Sequence, residues 1–339
     1  MKKFLSMLLA VVLVLSLGTV AFADGETKTY TDQSTVTLTK TYNLEGAGIS
    51  PAETFSFSTL KCTSVTDAAA GVTTDTAPVP TIDTVEFEAG AAGDTTNGVQ
   101  TATITLPTYT SVGVYTYTFT EIDNKTAGVT YRSDAIKLVV TVIEQDGKVR
   151  VAGVHTETDA GATKSGEFEN TYSAGSLDVT KTVTGPLGDK TKEFNVTVTF
   201  TAPEGKNVNS TITYVDGTDS KTIVPENWTN GVATAKITLK DAETVSFTNI
   251  PYDVTYTVVE DDYTGDGYDS AKYAYVDETT TATTKIIDSA KETATITNNK
   301  GADPDTGITL DSMPYVVMLV VVCAGLFVVL AKKRAAREN

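Results

Sequence analysis

Threonine occupies 63 of the 339 positions and often falls at alternate residues, as in Thr35-Val36-Thr37-Leu38-Thr39-Lys40-Thr41. β-Branched side chains suit a pleated surface and are stiff in a helix. A period of two puts Thr on one face of a strand and Val, Leu, Tyr or Phe on the other. The pattern predicts strands at Ser34–Tyr42, Val99–Leu106, Val112–Ile122, Ile136–Glu144 and Glu167–Tyr172. It predicts five more at Ser176–Val183, Phe194–Phe200, Ala233–Leu239, Val254–Val259 and Thr293–Asn298. Between the two hydrophobic ends, no window sustains a 3.6-residue apolar period. Many short strands separated by Gly, Pro, Asn and Asp predict an all-β chain of two tandem β-sandwich domains.

Composition excludes several chemistries. The chain has one His, His155, and two Cys, Cys62 and Cys323. Neither a His/Cys zinc cluster nor a disulfide framework can be assembled from them. A Ser-His-Asp triad would need His155, whose neighbours do not form a nucleophile elbow. The reading is of a protein that is not an enzyme and carries no metal or cofactor. The stretch Glu260-Asp261-Asp262 to Asp269 is acidic but lacks EF-hand spacing, and reads as a solvated loop. The Asn-x-Ser/Thr tripeptides at Asn124, Asn195 and Asn227 and the lone Trp228 add little.

The ends set the compartment. Lys2 and Lys3 precede an apolar run from Phe4 to Val20, and Ala21-Phe22-Ala23 supplies small residues for signal peptidase. Residues 1–23 read as a signal peptide cleaved between Ala23 and Asp24. Near the other end, residues 315–331 are apolar and Lys332, Lys333, Arg334 and Arg337 follow. That length predicts a C-terminal transmembrane helix with its positive tail inside. Just before it stands Asp303-Pro304-Asp305-Thr306-Gly307. Pro-x-Thr-Gly, apolar span and basic tail resemble a Gram-positive cell-wall sorting signal over 301–339. The resemblance implies sortase cleavage between Thr306 and Gly307, although Asp303 stands where that signal usually has Leu. After both cuts, Lys+Arg falls from 26 to 20 and Asp+Glu from 43 to 41, a net charge of −21. Such a surface argues against nucleic acid or anionic lipid as partner.

The remaining residues repeat. Leu38-Thr39-Lys40-Thr41 echoes Val179-Thr180-Lys181-Thr182, and Tyr117-Thr118-Phe119-Thr120-Glu121 echoes Tyr256-Thr257-Val258-Val259-Glu260. Phe168-Glu169-Asn170 echoes Ile296-Thr297-Asn298. The offsets are 141, 139 and 128 residues, in the same order. Two copies of one module are implied, 24–173 and 174–300. By strand parity Lys40 shares a face with Val36 and Leu38, Glu121 with Tyr117 and Phe119, and Asn170 with Phe168. Lys181, Glu260 and Asn298 do the same in the second copy, while Asn299 faces the other way. An amine, a carboxyl and an amide therefore point where apolar side chains point. Burial costs each of them unless they satisfy one another. It favours the uncharged amine, which is nucleophilic, and the uncharged acid. Those are the parts needed for the amine to attack the Asn amide and expel ammonia.

With these triads the chain is similar to the streptococcal pilin isopeptide-linkage domain family, the shaft subunits of Gram-positive pili. The resemblance implies two immunoglobulin-like β-sandwiches, with isopeptide bonds Lys40–Asn170 and Lys181–Asn298 promoted by Glu121 and Glu260. It implies a structural subunit secreted and anchored to the cell wall. Its partners would be sortase, further copies of itself, peptidoglycan, and tip and base pilins. Family shaft subunits place an acceptor lysine shortly before the last strand of the first module, which makes Lys164 the candidate. Lys61, Lys125 and Lys190 are alternatives. The competing reading is a monomeric wall-anchored adhesin or stalk.

Overall fold

The computed structural model describes residues 31–46, 48–158, 164–275 and 284–302. The expected signal cleavage at Ala23–Asp24, the sortase bond Thr306–Gly307 and the span 315–331 lie outside them. No helix among the described residues is long and apolar enough to cross a membrane.

The described residues are nearly all β, with 3-10 turns at Pro225–Asn227 and Thr264–Asp266, and each half is a sandwich with its own core. In the first, the strand Thr35–Gly46 lies between two partners. Thr96–Thr105 pairs with it antiparallel and the start of Glu167–Thr184 pairs parallel. The opposing sheet runs Lys148–Thr158, Ile136–Gln145, Gly113–Phe119, Lys61–Thr66, all antiparallel. Leu38, Ala102 and Ile104 from one sheet pack with Tyr115, Tyr117, Leu138 and Val140 from the other, all fully buried. The Thr residues between them on Thr35–Gly46 and Gly113–Phe119 are exposed or half-buried, as a period of two requires.

The second sandwich repeats the plan. Glu167–Thr184 now serves as the opening strand, flanked by Glu292–Asn299 in parallel and Thr244–Pro251 antiparallel. The opposing sheet runs Val232–Leu239, Phe194–Thr201, Thr255–Glu260, Lys285–Ile286. Leu177, Val179, Phe247 and Ile296 meet Val198, Phe200, Ile237 and Tyr256 in the second core.

One difference from the sequence reading matters. The predicted strands Glu167–Tyr172 and Ser176–Val183 are one strand of 18 residues, Glu167–Thr184, shared by both modules. Its buried positions are even-numbered from Phe168 to Ala174 and odd-numbered from Gly175 to Val183. The phase reverses beside a register irregularity between Gly175 and Leu177. A one-residue slip of this kind turns every later side chain to the other face. It is why Asn170 and Lys181, an odd number of residues apart, both point into a core.

The junction is tied on its flank as well. Thr126 forms a bridge with Asn207, and the N–H of Ala127 donates to Asn207 O at 2.8 Å. Asn249 is buried at φ +63°. Its Oδ1 accepts from Ile49 N at 2.8 Å and Tyr172 Oη at 3.2 Å, and its Nδ2 donates to Thr211 O at 2.9 Å.

Candidate crosslinking sites

Lys40 stands on the opening strand of module one, level with Phe168 of the shared strand. Asn170 is two residues further along, so both side chains enter the core from neighbouring parallel strands. Glu121 comes from the opposing sheet, just past Gly113–Phe119, where it bridges to Phe57. Lys40 Nζ donates to both Glu121 Oε1 and Asn170 Oδ1. Asn170 Nδ2 donates to Glu121 Oε2 at 2.9 Å, and the main-chain N–H of Arg132 donates to the same oxygen at 2.7 Å. The ring of Phe55 lies 4.2 Å from Lys40 Nζ and that of Phe168 lies 5.6 Å away. All three triad residues are buried, Lys40 completely.

Module two places its residues in the same register. Lys181 is level with Ile296, and Asn298 is again two residues on. Lys181 Nζ donates to Asn298 Oδ1 and forms an ion pair with Glu260 Oε1 at 3.1 Å. Phe194 supplies the ring, 4.2 Å from Nζ. Asn299 faces outward, bonding Asp269 Oδ2 at 2.8 Å. The structure therefore brings together Lys40, Glu121 and Asn170, and separately Lys181, Glu260 and Asn298.

Burial pushes the amines of Lys40 and Lys181 below the usual lysine value, and the paired glutamate only partly offsets this. A larger share of each amine is then uncharged at a given pH. An uncharged amine held against an amide, with a carboxylate beside the amine, can form an amide and release ammonia.

Sequence reasoning missed the rings and the Arg132 N–H. Phe55 follows Lys40 by 15 residues and Phe194 follows Lys181 by 13, so an aromatic at similar spacing was a readable signal. A main-chain donor leaves no such trace. Elsewhere, His155 pairs with Glu157 at 2.8 Å, and Cys62 is buried, which raises its thiol pKa. Lys164 is exposed and bridges to Glu157 at the entry to the shared strand. Among the described residues, no three His, Cys, Asp or Glu side chains gather as metal ligands do.

Fold and site define a class: tandem β-sandwiches, each with a buried Lys-Glu-Asn triad linking its first and last strands. Residues 27–173 match the family described as the Spy0128-like isopeptide containing domain, and residues 175–300 match a domain of unknown function. A pilin of Streptococcus pyogenes serotype M1 is 28% identical over 243 residues, covering 67% of this chain and 70% of that protein. The crystal structure of the major pilin from Streptococcus pyogenes shares the fold at TM-score 0.52 and 23% identity, covering 80% of this chain and all of that one. The pilus tip adhesin Cpa of Streptococcus pyogenes is 32% identical over 139 residues, 40% of this chain and 18% of the adhesin. Residues 27–173 thus carry a domain of the isopeptide-containing kind, and the fold is the one seen in a streptococcal major pilin.

Proposed function

We propose that this chain is the repeating shaft subunit of a sortase-assembled pilus on a Gram-positive cell wall. Each module locks itself with one isopeptide bond, Lys40–Asn170 and Lys181–Asn298. The observation that carries the reading is the pair of buried triads in equal register, Lys40 level with Phe168 and Lys181 level with Ile296. In each, the Lys Nζ attacks Asn Cγ, the Cγ–Nδ2 bond breaks, and a proton passes from Nζ to Nδ2 by way of the glutamate. Ammonia leaves. A neutral amide then replaces a buried amine that would otherwise need a permanent partner.

The relatives' character implies polymerisation with other pilin subunits, and an exposed surface location follows from it. Sortase would cut at Thr306–Gly307 and pass the Thr306 carbonyl to Lys164 of another copy. Peptidoglycan takes the last subunit. Intact mass of residues 24–306 tests the crosslinks. The expected mass is the sequence mass less two ammonia units, and a mass with no deficit rejects the bonds. A high-mass ladder in cell-wall extracts separates a shaft subunit from a monomeric stalk.

A further inference from the structure

The two triads share a plan but differ in how the glutamate is held. Glu121 Oε1 takes the Lys40 amine, while Oε2 accepts from Asn170 Nδ2 at 2.9 Å and from Arg132 N at 2.7 Å. It touches the atom that loses a proton and the atom that gains one at the same time. Glu260 Oε1 pairs with Lys181 Nζ at 3.1 Å. Its other oxygen, Oε2, and Asn298 Nδ2 are buried without a hydrogen-bond partner among the described residues. The Glu260 main-chain N–H bonds Tyr273 Oη at 3.0 Å, which fixes the backbone and leaves the carboxylate to turn.

We infer that the two bonds form in order, Lys40–Asn170 before Lys181–Asn298, and that the main-chain N–H of Arg132 is the positioning group behind the difference. The inference rests on the reading of both triads as crosslinking sites. In both modules the Nζ–Cγ bond forms, the Cγ–Nδ2 bond breaks and one proton travels from Nζ to Nδ2. Module one holds the carrier in place at both ends of that path. In module two the carboxylate must first rotate toward Asn298 Nδ2. A donor that fixes a reacting group ahead of time removes that step from the barrier. The loss of one charge-assisted hydrogen bond corresponds to a rate difference on the order of tenfold.

The test is a time course. Residues 24–306, which contain every described residue, are synthesised in a cell-free system, quenched in denaturing acid at intervals, and read by intact mass and peptide mapping. The expected intermediate has lost one ammonia and carries Lys40–Asn170. A single-loss species carrying Lys181–Asn298, or both bonds equally often, overturns the order. No ammonia loss at any time overturns the crosslinking reading itself, a different outcome. Arg132→Pro removes the N–H, because proline has none, while Arg132→Lys keeps both the N–H and the charge. Arg132→Pro should slow the first bond on the order of tenfold and leave the second unchanged, with Arg132→Lys like the parent. An unchanged order in Arg132→Pro removes the role of Arg132. The parent time course decides the order even where Arg132→Pro does not fold.

Discussion

A lysine amine with no exposed surface is tolerated as an ion pair or as a neutral group, and either state is costly if its partner is removed. Lys40 and Lys181 both meet this condition. Their depressed pKa gives a signed prediction. In Asn170→Ala the Lys40 amine persists, with a folded pKa below the usual lysine value of 10.5. Between that depressed value and 10.5 the unfolded chain binds more protons than the folded one, so stability rises with pH across this window. Below the folded pKa both states are protonated and the slope vanishes. In a parent carrying the proposed Lys40–Asn170 bond, Lys40 has no titrating amine, so its contribution to the slope is absent. Urea unfolding of parent and variant between neutral pH and pH about 10 checks this, and parallel curves reject it. The glutamates give a second prediction. Glu121→Ala should leave Lys40–Asn170 unformed while Lys181–Asn298 survives, since distant sites behave independently. Peptide mapping that finds the first crosslink intact in that variant removes the role of Glu121.

Among the strands, Glu167–Thr184 carries the most consequence, and the residues at its centre explain why the sequence disguised it. Ser173-Ala174-Gly175-Ser176 has the composition of a linker. In the fold Gly175 is small because backbone crowds it. A Cβ on Gly175 would lie 2.2 Å from Ser289 O and 3.0 Å from Ile287 Cγ2. Gly175→Ala should therefore destabilise module two by about 1–3 kcal/mol. Gly153→Ala, on an open edge strand where a Cβ would meet nothing within 4 Å, should change stability by less than about 0.5 kcal/mol. Thermal unfolding of the two variants checks both, and equal effects would show that the crowding at Gly175 is relieved cheaply. The triads were legible for the opposite reason. Parity survives any twist of the sheet, so Lys40 beside Leu38 and Asn298 beside Ile296 could be assigned to a face from sequence. Thr244–Pro251 was not read as a strand because Asn249 and Pro251 punctuate it, yet Asn249 sits at positive φ to reach across the junction. The hairpin Ile212–Asp216 and Asp219–Ile223 turns at Gly217 and has a half-exposed polar pattern, too weak for periodicity to find.

At the scale of the whole molecule, the shared strand gives the subunit a mechanical axis. Eighteen residues of strand span about 60 Å, and both proposed bonds are anchored on it, at Asn170 and at Lys181. Each closes a long loop, with partners 130 and 117 residues apart. By analogy with disulfides, a loop of that size restrains the unfolded chain by about 4–5 kcal/mol. The benefit under tension depends on where force enters. Lys164 is exposed and stands three residues before Glu167, where the shared strand begins. Of the alternatives, Lys125 is paired with Asp123 at 2.7 Å and Lys190 with Asp241 at 3.0 Å, while Lys61 is exposed at the start of Lys61–Thr66 in the opposing sheet, away from the shared strand. Tension entering at Lys164 would run along the shared strand into module two, cross from Lys181 to Asn298, and leave through Thr306. Module two could not unfold along that route. The Lys40–Asn170 bond would keep the first half of the shared strand from peeling off Thr35–Gly46. Expression of Lys164→Ala in the native host should collapse the high-mass ladder to monomer, while wall attachment of the monomer persists through Thr306. A normal ladder would move the acceptor to another lysine and with it the path of the force. Loss of both ladder and wall-bound monomer would point instead to failure of export or folding, which the intact mass of the secreted variant would reveal as missing ammonia losses.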